Sequence, residues 1–597
     1  MRCLTPRRRK RLMLVAGASF VVSALVLMTI KPDSTTDILG PWERHRDDVV
    51  DPNHQAQSPG LSIGPPVLDK TSLGNYEPRI PRPEREGPGE FGRAVKTDLG
   101  EESKYRKSIM EFGFNVVLSD EISLDRAVPD IRDPECKYWH YPEKLPNASV
   151  VLAFSNEGFS TLIRTVHSII NTSPPELLAD IVMVDDMSDK EHLGKELEEY
   201  IKKDRFQGKV RLVRNTKREG LAGSRTNGAM AARGQVVVFL DAHCECGVNW
   251  LPPLLAEIAH SRTTVVCPTV DVIKAEDLSY HPQGELARGA FDWAFWYKRI
   301  PVEYGNTMKR IGMKYFSQAY DAPAMAGGLF AMDRSYFIEL GAYDPGLYIW
   351  GGENFEISFK IWMCGGRLKF VPCSRVGHIY RRGVPYKYPS VDGDVSIVDR
   401  NYMRVAEVWM DEYKEHFYTF KPRLRGKSFG DISQQVEFRR KHCPKSFKWF
   451  MENVAFDSLE LFPTPSPNRL WGEFHLKETT LCLDTMGRQS TSQILGASKC
   501  HGWGGNQEFR LGTNGQIQFD EYCLVPSWDK TKVRMTRCRD SSRKVPDRDN
   551  WSFSEEVGHI RLKVTNLCVE VVDEKDVFLR DCSPDNPGQS FEVRPVK

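Results

Sequence analysis

The chain has 597 residues, too many for one hydrophobic core, so two or more domains are expected. Hydrophobic residues make up 40% and charged residues 27%, the composition of ordinary globular material rather than of a disordered chain. The net charge is only +2, and no extended basic patch is interleaved with aromatics, which argues against nucleic acid as a partner.

In chain order, "RRRKR" (7–11) precedes nineteen uncharged, mostly apolar residues, "LMLVAGASFVVSALVLMTI" (12–30). That length spans a bilayer as one helix, and the basic cluster before it predicts a cytoplasmic tail (1–11) with the rest of the chain lumenal. A cleaved signal peptide is the rival, but "MTIKPD" offers no good cleavage site. Residues 31–105 are rich in Pro, Gly and charge and read as a flexible stem, with ordered structure starting between 100 and 130. From 149 onward the pattern alternates. Strands are predicted at 149–155, 180–186, 209–215 and 235–241, with helices at 157–170, 190–203 and 220–234. Alternation of this kind implies βαβ units and a mostly parallel sheet, buried on both faces, which explains the unbroken apolar runs. The α/β domain is assigned to 106–460. A Pro-rich linker, "LFPTPSPNRL" (461–470), leads to a tail (471–597) of short β-like runs and turns. "CLDTMG", "CLVPSW" and "CVEVVD" begin at Cys482, Cys523 and Cys568, and each is followed by a second cysteine, Cys500, Cys538 and Cys582. Three units of about forty residues imply a threefold β architecture. The short cysteine gaps suggest disulfides within repeats, as suits an oxidising lumen. "NAS", "NTS" and "NWS" make Asn147, Asn171 and Asn550 candidate N-glycan acceptors.

Ligands of parallel sheets sit beyond the carboxyl ends of the strands. Two predicted strands end in acids there, Asp185-Asp186 and Asp241. For Asp185-Asp186 a helix-cap or turn role is an equal alternative. Asp241-x-His243 can hold a divalent cation through oxygen and nitrogen, and needs a third ligand. His378, after the predicted strand "LKFVPCSRV", is a candidate, and a metal at that point would neutralise the diphosphate leaving a sugar nucleotide. Arg381, Arg382 and Lys387 could bind the same phosphates. "WGGEN" places Glu353 at a predicted helix start, with Asn354 beside it and Trp350 as an apolar face for sugar or peptide. The alternative for Glu353 and Glu356 is plain helix capping. The Gly pair in "AMAGGLFAMD" allows close backbone approach to a ligand.

"DAHCE" (241–245), "AMAGGLFAMDR" (324–334), "WGGENFEIS" (350–358), "CSRVGHIYR" (373–381) and "AEVWMDEYK" (406–414), in that order, resemble the UDP-GalNAc:polypeptide N-acetylgalactosaminyltransferases, Golgi enzymes that start mucin-type O-glycans. The similarity runs from about residue 110 to the end. It implies an α/β GT-A (Rossmann-like) catalytic domain, a C-terminal ricin-type β-trefoil lectin, a single N-terminal transmembrane helix and Mn²⁺. The implied reaction moves GalNAc from UDP-GalNAc to Ser or Thr with retention at the anomeric carbon. By the same resemblance Asp241, His243 and His378 match metal ligands. Asp186, Arg218 and Arg225 match donor-site positions, Trp350 and Glu353 the sugar and acceptor site, and Arg381 and Tyr386 a loop that closes over UDP. Two departures stand out: Ser155 replaces a frequent histidine in "FSNE", and Val384 replaces one in "VPY". Each removes a potential donor to UDP. The resemblance also pairs Cys136 with Cys373 and Cys364 with Cys443, leaving Cys244, Cys246 and Cys267 as buried thiols.

The lectin repeats are unequal. The first carries Asp484, His501, Asn506 and Gln507, the second has Val525 where the acid belongs, and the third has Glu570 and Asn586. One working sugar site, in the first repeat, is expected. Two functions of different class follow. The chain is a retaining transferase acting on peptides or GalNAc-glycopeptides, with a lean toward glycopeptides, or it is a catalytically silent glycopeptide-binding relative. The complete Asp241, His243 and His378 set favours the transferase.

Overall fold

The computed structural model describes residues 64–76, 85–96, 99–284, 286–383, 395–487, 491–541 and 543–596. The predicted tail, the span at 12–30, most of the stem, and Val384, Tyr386 and Lys387 lie outside these residues. Among the described residues no helix is long and apolar enough to cross a membrane.

The alternation read from sequence is present. β1 (Ala148–Phe154), β2 (Leu178–Asp185), β3 (Val210–Arg214) and β4 (Val236–Asp241) are parallel neighbours in the order β3-β2-β1-β4. α1 (Phe159–Thr172), α2 (Lys195–Tyr200) and α3 (Gly220–Ala231) connect them. The long helix expected at 190–203 is only α2, preceded by a 3₁₀ turn at Glu191–Leu193. Gly194 interrupts it, because a glycine gains too little on entering a helix. After β4 come β5 (Cys244–Cys246), α4 (Leu251–His260) and β6 (Thr264–Ile273). A hairpin, β7 (Ala287–Phe291) and β8 (Tyr297–Pro301), stands apart from the sheet. β9 (Phe330–Asp333) is antiparallel to both β4 and β6. α5 (Glu353–Met363), β10 (Arg367–Ile379) and α6 (Ile397–Trp409) follow, with β10 parallel to β6.

Both sheet faces are dry. Val150, Leu152, Ile181, Met183, Val238 and Leu240 pack on the α1 and α4 side. Val151, Val182, Val184, Val237 and Phe239 pack on the other, against α3, α5 and α6. Side chains alternate along each strand, so strands buried on both sides must be apolar at every position.

Ordered structure starts earlier than the 100–130 expected from sequence. Val67–Leu68 pairs with Trp139–His140, and Asn75 exchanges hydrogen bonds with the Tyr141 backbone. The buried Glu90 accepts the Ala127 N–H at 2.9 Å. Val95 also packs with Phe114 and Ile379, and Tyr76 on Tyr141, so scattered single contacts, polar and apolar, hold these segments and leave no periodic signature.

The last domain is built from three equivalent units. Phe474, Ile517 and Ile560 are buried together, as are Leu483, Leu524 and Val569, and Phe509, Trp551 and Phe591. Within each unit a disulfide closes a short loop: Cys482–Cys500, Cys523–Cys538 and Cys568–Cys582. Cys136–Cys373 and Cys364–Cys443 tie distant parts of the catalytic domain. Cys244, Cys246 and Cys267 are buried and outside any disulfide.

Candidate active site

The strand order reverses between β1 and β4, and in sheets of this kind ligands bind beyond the strand ends at that point. Register sets what reaches it. Ala153 of β1 lies opposite Asp241 of β4, and Phe154 opposite Asp185 of β2. His243 sits in the turn after β4, and β5 then pairs with β10 so that Cys244 faces His378. His378 was expected after its strand but lies inside β10, which runs to Ile379. This pairing brings together residues more than 130 positions apart in sequence.

One ligand atom from each of Asp241, His243 and His378 lies within 4.8 Å of the others. His378 Nε2 is 3.2 Å from Asp241 Oδ2, and the two imidazoles have centroids 4.8 Å apart. The buried Nδ1 of His378 has no hydrogen-bond partner. One carboxylate oxygen with two imidazole nitrogens suits a borderline divalent ion such as Mn²⁺, so the donor set fits. Among the described residues the other two groupings with metal-ligand spacing contain Cys482–Cys500 and Cys568–Cys582, which are disulfides and offer no thiolate.

Surrounding groups hold the three in place. The fully buried Arg225 donates to Asp241 Oδ1 at 2.9 Å and to the carbonyls of Gly327 and Gly328. Burial opposes charge on Asp241, but His378, Arg225 and His243 outweigh it and hold the carboxyl well below the usual range. A Cβ on Gly328 would lie 2.6 Å from Asp241 Oδ2, so this glycine is what lets β9 approach the carboxylate. The Gly pair therefore admits a protein group here.

Glu157, of "FSNE", has no assigned role in the sequence reading. It is 2% exposed, accepts from His243 Nδ1 at 3.0 Å, and is paired with Arg381. Burial pushes its carboxyl up, but Arg381 and then His243 bring it down to about 2. A carboxylate on Nδ1 fixes the ring and leaves Nε2 for the cation. The signal in sequence was an acid two residues after a strand end, indistinguishable there from a turn residue.

Asp186 caps the start of α3. Its carboxylate accepts the Glu219 and Gly220 N–H groups at 2.8 and 2.9 Å and the Asn215 amide at 2.9 Å. Arg218 donates to the Ser155 hydroxyl and to the Asp186 carbonyl. The serine at this departure thus holds an arginine at the crevice mouth. Glu353 is buried at the first turn of α5 and accepts the Gly351 N–H at 2.7 Å. Burial raises its pKa. Asn354 donates to the Met325 carbonyl at 3.2 Å, while Trp350 stays 40% exposed. The structure thus gathers Asp241, His243, His378 and Arg225 together, and Arg381 meets His243 both through Glu157 and directly, 3.2 Å from its Nδ1.

In the lectin, Asp484 accepts from Asn506 Nδ2 at 2.6 Å and Gln507 Nε2 at 2.9 Å, and His501 Nε2 lies 3.1 Å from Asn506 Oδ1. Glu570 of the third repeat accepts from Asn586 and Gln589 in the same pattern, at 3.0 and 2.8 Å. The residue after its second cysteine is Ser583, without the ring that His501 supplies. Val525 is buried. Asn171 is exposed, whereas Asn147 and Asn550 are half-buried.

Three family profiles match this chain: glycosyl transferase family 2 over residues 149–341, the N-terminal domain of galactosyltransferase over 308–382, and the ricin-type beta-trefoil lectin domain over 470–591. Human N-acetylgalactosaminyltransferase 7 is 46% identical over 545 residues, covering 89% of this chain and 81% of that protein. Human polypeptide N-acetylgalactosaminyltransferase 10 is 46% identical over 495 residues, covering 80% and 78%. A crystal structure of GalNAc-T7 with UDP, GalNAc and Mn²⁺ superposes with a TM-score of 0.76 at 44% identity, covering 89% of this chain and 98% of that one.

Proposed function

Because this chain belongs to the polypeptide N-acetylgalactosaminyltransferase family, we infer that it moves GalNAc from UDP-GalNAc to Ser or Thr of polypeptides, with retention, in mucin-type O-glycosylation. The observation that carries this reading is the convergence of Asp241, His243 and His378 at the sheet's switch point, with ligand atoms within 4.8 Å. Those three would hold Mn²⁺, which supplies charge neutralisation for the departing diphosphate.

The remaining work falls to the protein. Arg225 orients Asp241 and, after His378, helps keep it ionised. Glu157 turns His243 so that Nε2 faces the crevice. Arg218 presents a guanidinium, fixed by Ser155 and the Asp186 carbonyl, on the side where the nucleotide would lie. Glu353, buried at the N-terminus of α5, would accept hydroxyl hydrogens of the sugar. Trp350, half exposed, offers an apolar face to the acceptor. Tyr386 and Arg381 are assigned to closure over UDP on the family resemblance alone.

The same reading includes a membrane anchor at 12–30, with catalytic (106–460) and lectin (471–597) domains in the Golgi lumen. Its support is the basic 7–11 segment, the uncharged run after it, and the five disulfides. The lectin's first repeat is assigned to GalNAc already on the acceptor, through Asp484, His501 and Asn506. The test is transfer by the full-length chain with UDP-GalNAc and Mn²⁺, comparing a Thr-rich peptide with the same peptide bearing one GalNAc. Transfer abolished by EDTA is expected, with the glycopeptide preferred. Transfer to neither across a broad acceptor panel would leave the silent binding protein.

A further inference from the structure

A very short strand sets the metal site. β5 has three residues and pairs with β10 at three positions: Cys246 lies opposite Val376, Glu245 opposite Gly377 and Cys244 opposite His378. So few rungs hold a register weakly unless side chains pin it. Yet the register decides whether the ligands meet. One step along a strand is about 3.3 Å, whereas the ligand atoms of Asp241, His243 and His378 lie within 4.8 Å of one another. A slip of one residue would carry His243 away from His378 and turn Glu245 to the opposite face.

Three sets of contacts hold β5. The Cys244 and Cys246 N–H groups donate to the Thr165 and Ser168 hydroxyls of α1, at 3.0 and 3.1 Å. Toward β10, the Gly247 N–H donates to the Arg375 carbonyl at 2.9 Å, and the Ile379 N–H to the His243 carbonyl at 3.2 Å. The third contact is Arg126, whose side chain is fully buried. Its Nε and one terminal nitrogen donate to the two Glu245 oxygens, each at 2.7 Å. Its other terminal nitrogen donates to the carbonyls of Gly89 and Leu278, at 3.3 and 3.0 Å.

Residues 85–96 seat this arginine. The buried Glu90 accepts the Ala127 N–H at 2.9 Å, on one side of Arg126 in the chain. Arg85 donates to the Ser123 hydroxyl at 2.8 Å and the Asp125 carbonyl at 3.3 Å, on the other side. A Cβ on Gly89 would lie 3.0 Å from the Arg126 guanidinium. Val95 is buried in one cluster with Tyr280 and with Ile379, the residue after His378. Arg126 and the segment that holds it all precede residue 149, where the glycosyl transferase profile begins.

Stability alone does not call for such a pair, because apolar residues of similar volume are often as stable as a buried ion pair. What a guanidinium fork adds is geometry, through two parallel bonds in one plane. We infer that Arg126 is a positioning residue of the metal centre: its fork on Glu245 fixes the register of β5 against β10, and residues 85–96 brace the fork. The effect on transfer rests on the transferase reading, whereas the register lock does not.

The test compares the full-length chain with Arg126→Lys, which keeps the charge but cannot span both Glu245 oxygens, and with Gly89→Ala, which presses on the guanidinium without removing it. Hydrogen exchange without metal is expected to be about tenfold faster at 241–247 and 376–379 in Arg126→Lys. The lectin strand Leu567–Val572 is the unchanged reference. Calorimetric titration of Mn²⁺ with saturating UDP is expected to show Kd raised by about 10–100-fold in Arg126→Lys and by about tenfold in Gly89→Ala. In transfer, KM for Mn²⁺ should rise while the rate at saturating Mn²⁺ stays within about twofold. Simple loss of folded protein would instead lower the rate at every Mn²⁺ concentration and leave that KM unchanged, and this result would overturn the proposal. So would a Kd within about twofold of the unmodified chain in Arg126→Lys, or in Gly89→Ala should the lysine variant not fold. Exchange and Mn²⁺ affinity are read without turnover, so an unmodified chain that transfers nothing would sink the transferase reading and leave the brace to be judged on those two measurements.

Discussion

Glu157→Gln tests the site at the residue whose role came from the tertiary structure alone. Glu157 is 2% exposed, accepts from His243 Nδ1 at 3.0 Å and is paired with Arg381. The amide keeps the shape and can still accept one hydrogen bond, but it removes the charge that orients the ring and balances Arg381. Partners of this kind are worth about 10–100-fold in metal affinity. That corresponds to about 1.4–2.8 kcal/mol. Part of the effect comes through Arg381, freed to lie against His243, whose Nδ1 is already 3.2 Å from the guanidinium. The assay is calorimetric titration of Mn²⁺ into the variant with saturating UDP, paired with initial transfer rates against Mn²⁺ concentration. Expected is an apparent Kd raised by about 10–100-fold, with most of the rate recovered at high Mn²⁺. A Kd within about twofold of the unmodified chain would refute the argument that Glu157 positions the metal ligand.

Asp241→Asn should lower transfer by about a hundredfold or more, since it removes a ligand charge and leaves the buried Arg225 without its carboxylate. Melting temperature should fall with it, and calorimetry checks both. Gly220 has φ +74°, and an added Cβ would lie 2.5 Å from the Ile349 backbone. Gly220→Ala should therefore cost about 1–3 kcal/mol in denaturant unfolding and weaken UDP binding by displacing the Asp186 cap. Asp484→Ala removes the carboxylate that organises the first-repeat amides and should cut GalNAc affinity by about tenfold or more, measured by titration of the full chain with free sugar. Glu570→Ala, lacking a ring neighbour, should leave that affinity unchanged.

The sequence by itself determined the parallel βαβ order, the threefold β tail and the acid at the end of β4. These are local properties. Strands buried on both faces need unbroken apolar runs, repeats recur at fixed spacing, and a strand that stops on Asp241 places it at the sheet edge whatever follows. The motif resemblance added the family and the pairs Cys136–Cys373 and Cys364–Cys443, whereas Asp241, His243 and His378 were already candidate ligands from the residues themselves. Tertiary structure decided the rest. His378 meets His243 only because β10 runs antiparallel to β5, a pairing between residues far apart in the chain. Glu157 and Arg225 became positioning groups through long-range contacts to His243, Arg381 and Asp241. Asp186 turned out to cap α3 through Glu219 and Gly220, which settles its backbone role without periodicity. The residues 64–76 and 85–96, stem-like in composition, are held by isolated anchors, polar at Asn75 and Glu90 and apolar at Tyr76 and Val95. The charge cluster of Asp292, Lys298 and Glu521 could not be read from sequence at all. Lys298, paired with Asp292, reaches Glu521 only when the two domains meet, because Coulomb energy depends on separation in space and not along the chain.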